Sequence, residues 1–220
     1  MHDMPLWLWV AFGTAGAFVL VEMLVHLRLV RRRRPSPCPS YLRFLLENPV
    51  MNRIAGAAAL IERARIEPGM RVLDVGCGPG RLTIPLAGRV GPGGRVVALD
   101  IQEKMLAVLK KRVAKAGLTN VETVLGGAGQ GAIRQEDVFD RAMLVTVLGE
   151  IPEKAKALGE IFRALRPGGV LSITEVKLDP DYQKEEDVRR LCSEAGFDYE
   201  ARHGGLLSFT LSFRKPSSAA

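Results

Sequence analysis

The sequence predicts an α/β fold in which helices cover both faces of a doubly wound, mostly parallel sheet. Between residues 71 and 195, short β-branched apolar runs alternate with segments of helical periodicity, as in repeated strand-helix units. A glycine-rich loop at residues 76–80 follows the first of these runs. In such folds, ligands bind beyond the carboxyl ends of the strands. We therefore expect a ligand site at this loop.

The individual elements are bounded by glycine and proline. Pro152 opens a helix at its first turn, and Gly117 and Gly196 close two others, as these residue types commonly do. Two alternating runs around residues 204–205 predict a terminal β-hairpin. The predicted strands are 71–75, 94–100, 121–126, 138–148 and 169–176, and the predicted helices are 81–90, 102–116, 152–165 and 184–195.

An uncharged apolar run occupies residues 6–21, and a basic cluster follows at residues 31–34. As one helix, residues 6–29 would extend roughly 36 Å, enough to cross a hydrocarbon core of about 30 Å. The basic cluster after the run predicts a single-pass membrane anchor that leaves the rest of the chain in the cytoplasm.

Glu22 keeps another interpretation open, because a carboxylate inside hydrocarbon costs a few kcal/mol. The run could instead lie on the membrane surface, dock on the domain, or join two copies of the chain into a homo-oligomer through Gly13 and Gly16.

The sequence divides into five predicted segments. They are an anchor with its basic cluster (1–33), a Pro-rich linker (34–40), a helical lid (41–66), the α/β domain (67–216) and a short tail (217–220).

Composition narrows the functional classes. The chain has 220 residues, 47% of them hydrophobic and 25% charged, which suits one folded domain rather than a disordered chain. Its three cysteines are far apart and lack CxxC spacing, so we expect no metal site and no disulfide framework. The net charge is +7, and five arginines against two acids in residues 1–40 supply +3 of it. The remaining +4 is too small to indicate nucleic-acid binding.

The segment Asp-Val-Gly-Cys-Gly-Pro-Gly at residues 74–80 places glycines at alternate positions, which lets the backbone approach a ligand closely. It is not the dinucleotide fingerprint, because Arg81 occupies the position of its last glycine. Asp100, at the end of the second predicted strand, stands where a carboxylate accepts hydrogen bonds from both ribose hydroxyls. The two features predict a nucleoside-containing cofactor without a pyrophosphate.

These motifs resemble those of class I S-adenosylmethionine-dependent methyltransferases. Within that class the chain resembles the branch of ubiquinone and menaquinone biosynthesis and bacterial phospholipid N-methyltransferases. The resemblance extends over residues 49–216 and is carried by VLDVGCGPG (72–80), VVALDIQEKML (96–106), FD (139–140) and LRPGGVLSITE (165–175). It implies a seven-stranded sheet with an antiparallel terminal strand, and S-adenosyl-L-methionine as cofactor.

The resemblance also implies the cofactor contacts. The glycine loop would border the methionine part, Asp100 would hold the ribose, and Ile101 and Met105 would flank the adenine. The family commonly has an acid near the adenine amino group after the third strand, but residues 126–131 here are GGAGQG. Backbone groups or the Gln130 side chain would make that contact. The implied cofactor-binding residues are Asp74, Gly76, Cys77, Gly78, Gly80, Asp100, Ile101, Met105, Ala128 and Gln130.

Several of these carboxylates also have simpler interpretations. Asp74 could cap the next helix or support the loop, and Asp100 could cap the helix that follows it. Asp140, inside a strand pattern, could be purely structural.

Catalytic residues are harder to assign, because methyl transfer from a sulfonium gains much of its rate from a close, dry approach of the acceptor. A dedicated base is not required. The candidates are Thr146, Glu150 and Glu175 at strand ends, His203 on the hairpin and Tyr41 on the lid. Solvated carboxylates and a structural histidine remain the alternatives.

Together, these features predict a membrane-anchored methyltransferase that acts on a lipid, quinone-like or other amphiphilic acceptor at the cytoplasmic membrane face. One alternative is a tethered methyltransferase of proteins or small soluble metabolites. Another is a cofactor-binding interaction protein without activity.

Overall fold

The computed structural model describes residues 56–217. Seven strands form one sheet in this part of the chain: β1 (Arg71–Val75), β2 (Arg95–Asp100), β3 (Val121–Leu125), β4 (Phe139–Val145), β5 (Leu165–Val176), β6 (Asp198–Gly204) and β7 (Ser208–Arg214). The helices are α1 (Ala57–Arg63), α2 (Thr83–Val90), α3 (Glu103–Lys115), α4 (Lys154–Ala164) and α5 (Glu185–Glu194), with a 3₁₀ turn at Leu148–Glu150.

The strand order is β3-β2-β1-β4-β5-β7-β6. Strands β1 to β5 pair in parallel, and β7 lies antiparallel between β5 and β6. The predicted α/β class and the seven-stranded sheet with an antiparallel terminal strand are confirmed. Since β1 lies between β2 and β4, chain order reverses there, and the carboxyl ends of these strands mark the expected ligand site.

Each face of the sheet packs against its own set of helices. Leu73 and Leu144 point to one face, where they join apolar residues of α4 and α5. Val72 and Met143 point to the other face and join residues of α1 and α2. This alternation is the two-residue period of a β-strand, and the central strands are apolar on both faces because helices cover both.

Two element boundaries differ from the sequence prediction by more than two residues, and helices α2 and α4 begin two residues later than predicted, at Thr83 and Lys154. Strand β4 ends at Val145 rather than near residue 148, because Thr146 adopts a φ of 54° and the 3₁₀ turn follows. Strand β5 begins at Leu165, four residues earlier than predicted, because Leu165 pairs with Phe139 and the Gly168 N–H donates to the Lys215 carbonyl. The expected turn at residues 166–169 is therefore an irregular bulge within β5, between its pairings with Phe139 and Arg141.

The predicted anchor, the linker, most of the lid and residues 218–220 lie outside the described residues. Within residues 56–217, no helix is both long enough and apolar enough to cross a membrane. The described part of the lid contains α1, whose Leu60 is buried against the sheet. The segment boundaries remain predictions.

Candidate functional site

The glycine loop crosses from β1 to α2 with its backbone tied to the neighbouring strand. The N–H groups of Gly76 and Cys77 donate to the Leu99 carbonyl at 2.8 and 3.0 Å. Gly76 has a φ of 68°, and a Cβ there would lie 2.5 Å from Val147 Cγ2. Only glycine fits both this conformation and this space.

Asp100 links the end of β2 to the glycine loop. One carboxylate oxygen accepts the Gly78 N–H at 2.8 Å, and the other accepts the Gln102 N–H at 2.8 Å. Burial raises the pKa of Asp100, while the N–H bonds from Gln102 and Gly78 oppose that rise. The Ile101 N–H also bonds to this carboxylate. An ionised carboxylate offers about four acceptor positions, so at least one remains for a ribose hydroxyl.

Asp74 lies beneath the loop. Its side chain is buried and accepts a hydrogen bond from the Thr83 hydroxyl at 2.6 Å. Burial raises the pKa of Asp74 to about 6, against the lowering effect of the Thr83 bond. This arrangement joins the end of β1 to the first residue of α2.

An open pocket lies between the glycine loop and the ends of β2, β3 and β4. Its volume is about 910 Å³, including the space open to solvent. The predicted cofactor residues line it except for Asp74, Cys77 and Gly80, which lie behind the lining. The lining residues are Val75, Gly76, Gly78, Leu99, Asp100, Ile101, Gln102, Met105, Gly126, Gly127, Ala128, Gln130, Val145, Thr146, Val147, Glu150, Ile151 and Pro152.

The wall at the end of β3 is held by Glu160, a residue absent from the sequence prediction. The Glu160 carboxylate accepts the Gly129 N–H at 3.0 Å and the Gly131 N–H at 2.7 Å. The sequence did contain a signal for this residue. Glu160 interrupts the apolar stripe of α4 and is buried with Ala157 and Ile161, and a buried acid needs partners.

The wall at the end of β4 contains Thr146 and Glu150. Thr146 adopts a φ of 54°, which is strained for a β-branched residue. Its N–H donates to the Thr174 carbonyl at 2.8 Å, and its hydroxyl donates to the Val145 carbonyl at 2.7 Å. Among the described lining residues, Asp100 and Glu150 are the carboxylates.

The other candidate catalytic residues lie elsewhere. Glu175 is buried and does not line the pocket; it accepts the Gln183 N–H at 3.2 Å, and burial raises its pKa to about 8. His203 lines a separate cleft with Arg63 and Arg141. Tyr41 lies outside the described residues. All the catalytic assignments remain predictions.

Comparison with known proteins agrees with this architecture. A family model described as a methyltransferase domain matches residues 66–202. A demethylmenaquinone methyltransferase of Listeria monocytogenes serotype 4a is 37% identical over 108 residues, which cover 49% of this chain and 45% of that protein. An arsenite methyltransferase of Halobacterium salinarum is 31% identical over 153 residues, covering 61% of this chain and 39% of that protein. The chain thus aligns with less than half the length of these curated relatives.

Among solved structures, a SAM dependent methyltransferase from Aquifex aeolicus matches with a TM-score of 0.74 and 24% identity. The match covers 80% of this chain and 98% of that one, and it shows a shared fold. The family model covers more than half of the chain, and the site has the glycine loop and strand-end carboxylate expected from the motifs. The chain therefore belongs to the methyltransferase domain family, in the class I group that uses S-adenosylmethionine as cofactor.

Proposed function

We propose that this chain transfers a methyl group from S-adenosylmethionine to an amphiphilic, quinone-like acceptor at the cytoplasmic face of a membrane. The observation that carries the proposal is the composition of the pocket. Asp100 lies where the nucleoside would bind, whereas the wall after β4 contains four apolar residues beside Thr146 and Glu150. Val145, Val147, Ile151 and Pro152 contribute to that wall.

This division suits the chemistry of methyl transfer. The sulfonium already activates the methyl group, so the protein has to hold the acceptor in line with the carbon-sulfur bond and exclude water. An apolar wall favours a flat, poorly hydrated acceptor over a highly charged one. We assign Glu150 to the acceptor side, where its carboxylate would orient an acceptor hydroxyl or take its proton.

Exposed leucines support access from a membrane. Leu178, Leu206 and Leu207 are 60%, 85% and 50% exposed. Leu206 and Leu207 form the turn of the β6–β7 hairpin, and the Lys177 N–H donates to the Leu207 carbonyl, which brings the three leucines together. They lie at the carboxyl end of β5, on the same sheet edge as the pocket and roughly 10 Å from β4 at normal strand spacing.

The sequence outside the described residues supports the same proposal. The apolar run and basic cluster of residues 1–33 would hold the domain at a cytoplasmic membrane face, since cationic residues near a span favour anionic lipid head groups. Quinone precursors reside in membranes, and demethylmenaquinone methyltransferases are among the curated relatives. This similarity favours a quinone-like acceptor.

The test uses the full chain, labelled S-adenosylmethionine and a demethylated prenyl naphthoquinol, the reduced form that carries hydroxyl groups, embedded in vesicles under anaerobic conditions. A naphthoquinol acceptor with a truncated, water-soluble side chain is assayed in parallel. Leu206→Ser removes the most exposed leucine at the hairpin turn. Leu125→Ser is the control, because it changes an exposed leucine on β3, the edge strand opposite to β6 in the strand order.

We expect Leu206→Ser to lower transfer to the vesicle-embedded acceptor several-fold and to leave transfer to the soluble acceptor unchanged, while Leu125→Ser affects neither. Equal rates for Leu206→Ser and the unmodified chain on vesicles would contradict the hairpin's role in membrane access. Label found only in proteins or water-soluble metabolites, when the chain is incubated with a membrane extract, would contradict the amphiphilic acceptor.

A further inference from the structure

The segment between β3 and β4 forms the pocket wall opposite the glycine loop, yet residues 126–137 contain no helix or strand. Its first six residues, GGAGQG, include four glycines, and glycine loses more conformational freedom on ordering than any other residue. A segment of this composition needs hydrogen bonds from other parts of the chain to hold a single backbone conformation.

Glu160 provides two such bonds from α4. Its carboxylate oxygens separately accept the N–H groups of Gly129 and Gly131, at 3.0 and 2.7 Å. The side chain is buried, with 6% of the residue's surface exposed. Hydrogen bonds to an ionised carboxylate are about twice as strong as bonds between neutral groups, so the two peptide groups are firmly oriented.

The orientation of these N–H groups also fixes two carbonyl groups. All described peptide bonds are trans, and in a trans peptide the C=O points opposite to the N–H. The Ala128 carbonyl shares its peptide with the Gly129 N–H, and the Gln130 carbonyl shares its peptide with the Gly131 N–H. Both carbonyls therefore point away from Glu160, and Ala128 and Gln130 line the pocket.

We propose that Glu160 sets the purine specificity of the cofactor site by holding the Ala128 and Gln130 carbonyls as acceptors for the exocyclic amino group of adenine. The inference rests on the proposed function and on the contacts that the resemblance implies, in which Asp100 would hold the ribose and Ile101 and Met105 would flank the base. A main-chain carbonyl accepts a hydrogen bond but cannot donate one. The wall would consequently bind a 6-amino purine and reject a 6-oxo purine.

The mechanism gives Glu160 a positioning role, since it acts on the base through the backbone. It also explains how the site works without a carboxylate in the segment GGAGQG. The negative charge lies behind the peptides, where it polarises each N–H and so strengthens the acceptor character of the opposite carbonyl.

The test compares S-adenosylhomocysteine with S-inosylhomocysteine, which differ at the 6-position of the purine. Calorimetry gives the two Kd values for the unmodified full chain, for Glu160→Gln and for the control Glu194→Gln, an exposed acid on α5. Gln at position 160 keeps one acceptor oxygen, but its NH₂ group faces the other loop N–H, and two donors form no hydrogen bond. One of the two loop peptides therefore loses its acceptor.

We expect the unmodified chain and Glu194→Gln to favour the adenosyl compound by about tenfold or more, the value of one hydrogen bond to a polar partner. Glu160→Gln should reduce that preference to about twofold or less while thermal unfolding stays cooperative. A second variant adds Gly127→Asp to Glu160→Gln, which places a carboxylate where the three atoms nearest to a Cβ belong to the flexible end of Gln130, which has to move aside. It should restore the preference for the amino compound.

An unchanged ratio of the two Kd values in Glu160→Gln would overturn the inference, even if both compounds bind more weakly by the same factor. If Glu160→Gln does not fold, Glu160→Asp, which keeps the charge but withdraws the carboxylate from the loop, takes its place with the same criteria. A chain that binds neither compound would overturn the proposed function itself, whereas tight adenosyl binding with an unchanged ratio would overturn only the role of Glu160.

Discussion

The Asp100 carboxylate accepts the Gly78 N–H at 2.8 Å and thereby joins the end of β2 to the loop that follows β1. The two parts of the cofactor site are therefore one hydrogen-bonded unit. The same carboxylate accepts the Gln102 N–H, which fixes the start of α3. A change at Asp100 is expected to disturb the ribose contact and the loop together.

Replacing Asp100 by Ala should weaken S-adenosylhomocysteine binding by one to two orders of magnitude. Loss of charge-assisted bonds to the ribose costs about 1.5 to 3 kcal/mol, and the loop loses its Gly78 anchor. Calorimetric titration measures the effect, with the exposed Asp198→Ala on β6 as the control. An unchanged Kd in Asp100→Ala would remove Asp100 from the cofactor site.

Replacing Gly80 by Ala should destabilise the domain by about 1 to 3 kcal/mol. Gly80 has a φ of 93°, and a Cβ at this position would collide with the Leu109 side chain of α3. The matched control is Gly88→Ala inside α2, where a Cβ meets no atom within 4 Å and helix propensity favours alanine. Urea unfolding should give a lower free energy of unfolding for Gly80→Ala and no decrease for Gly88→Ala. Equal free energies of unfolding for the two variants would contradict this expectation.

Thr83→Val should destabilise the domain more at pH 8 than at pH 5. Asp74 has a pKa of about 6, raised by burial, and the Thr83 hydroxyl is a hydrogen-bond donor to its carboxylate. Stability linked to the protonated Asp74 is fully present below about pH 4 and is lost as the pH rises through 6. Above pH 6 the buried carboxylate is charged and depends on Thr83, so loss of the hydroxyl costs about 1 to 3 kcal/mol there.

Unfolding midpoints at the two pH values test this expectation. Thr83→Ser retains the hydroxyl and should follow the unmodified chain at both. A Thr83→Val effect that is the same at pH 5 and pH 8 would show that Asp74 does not titrate between them.

Glu175→Gln should stabilise the domain above neutral pH. Burial raises the pKa of Glu175 from 4.5 to about 8, so the stability linked to its protonated form is fully present below pH 4.5 and is lost as the pH rises to about 8. Gln keeps an acceptor for the Gln183 N–H without a titrating group. The variant should match the unmodified chain near pH 4 and exceed it by about 3 kcal/mol near pH 7, at 1.36 kcal/mol per pH unit.

Denaturant unfolding at pH 4, 6 and 8 measures this difference, with Glu186→Gln on the exposed side of α5 as the control. A stability difference that does not increase with pH would contradict the protonated state assigned to Glu175.

The sheet, the glycine loop and Asp100 were predictable because each leaves a local pattern. Strand and helix periods differ, and a carboxylate at a strand end has a defined position in an α/β sheet. The early end of β4 was not predictable, because the left-handed Thr146 interrupts an apolar run that continues in sequence to Leu148. The bonds of Glu160 were missed because they join α4 to a loop about 30 residues earlier, and spacing along the chain does not reveal such pairs.

The placement of the loop residues shows a similar limit. A glycine-rich motif indicates a loop that borders a ligand, but it does not show which of its glycines face that ligand. Gly76 and Gly78 line the pocket, whereas Gly80 packs against Leu109. The difference depends on α3, which packs against the loop from elsewhere in the chain.

Mass spectrometry of a single reaction tests the central claim most directly. The full chain is incubated anaerobically with S-adenosylmethionine and vesicles that contain a demethylated prenyl naphthoquinol, and Asp100→Ala serves as the inactive control. We expect one added methyl group on the quinol and an equal amount of S-adenosylhomocysteine, both strongly reduced in the variant. Binding of S-adenosylmethionine without methylation of this or any other membrane acceptor would contradict the proposed function.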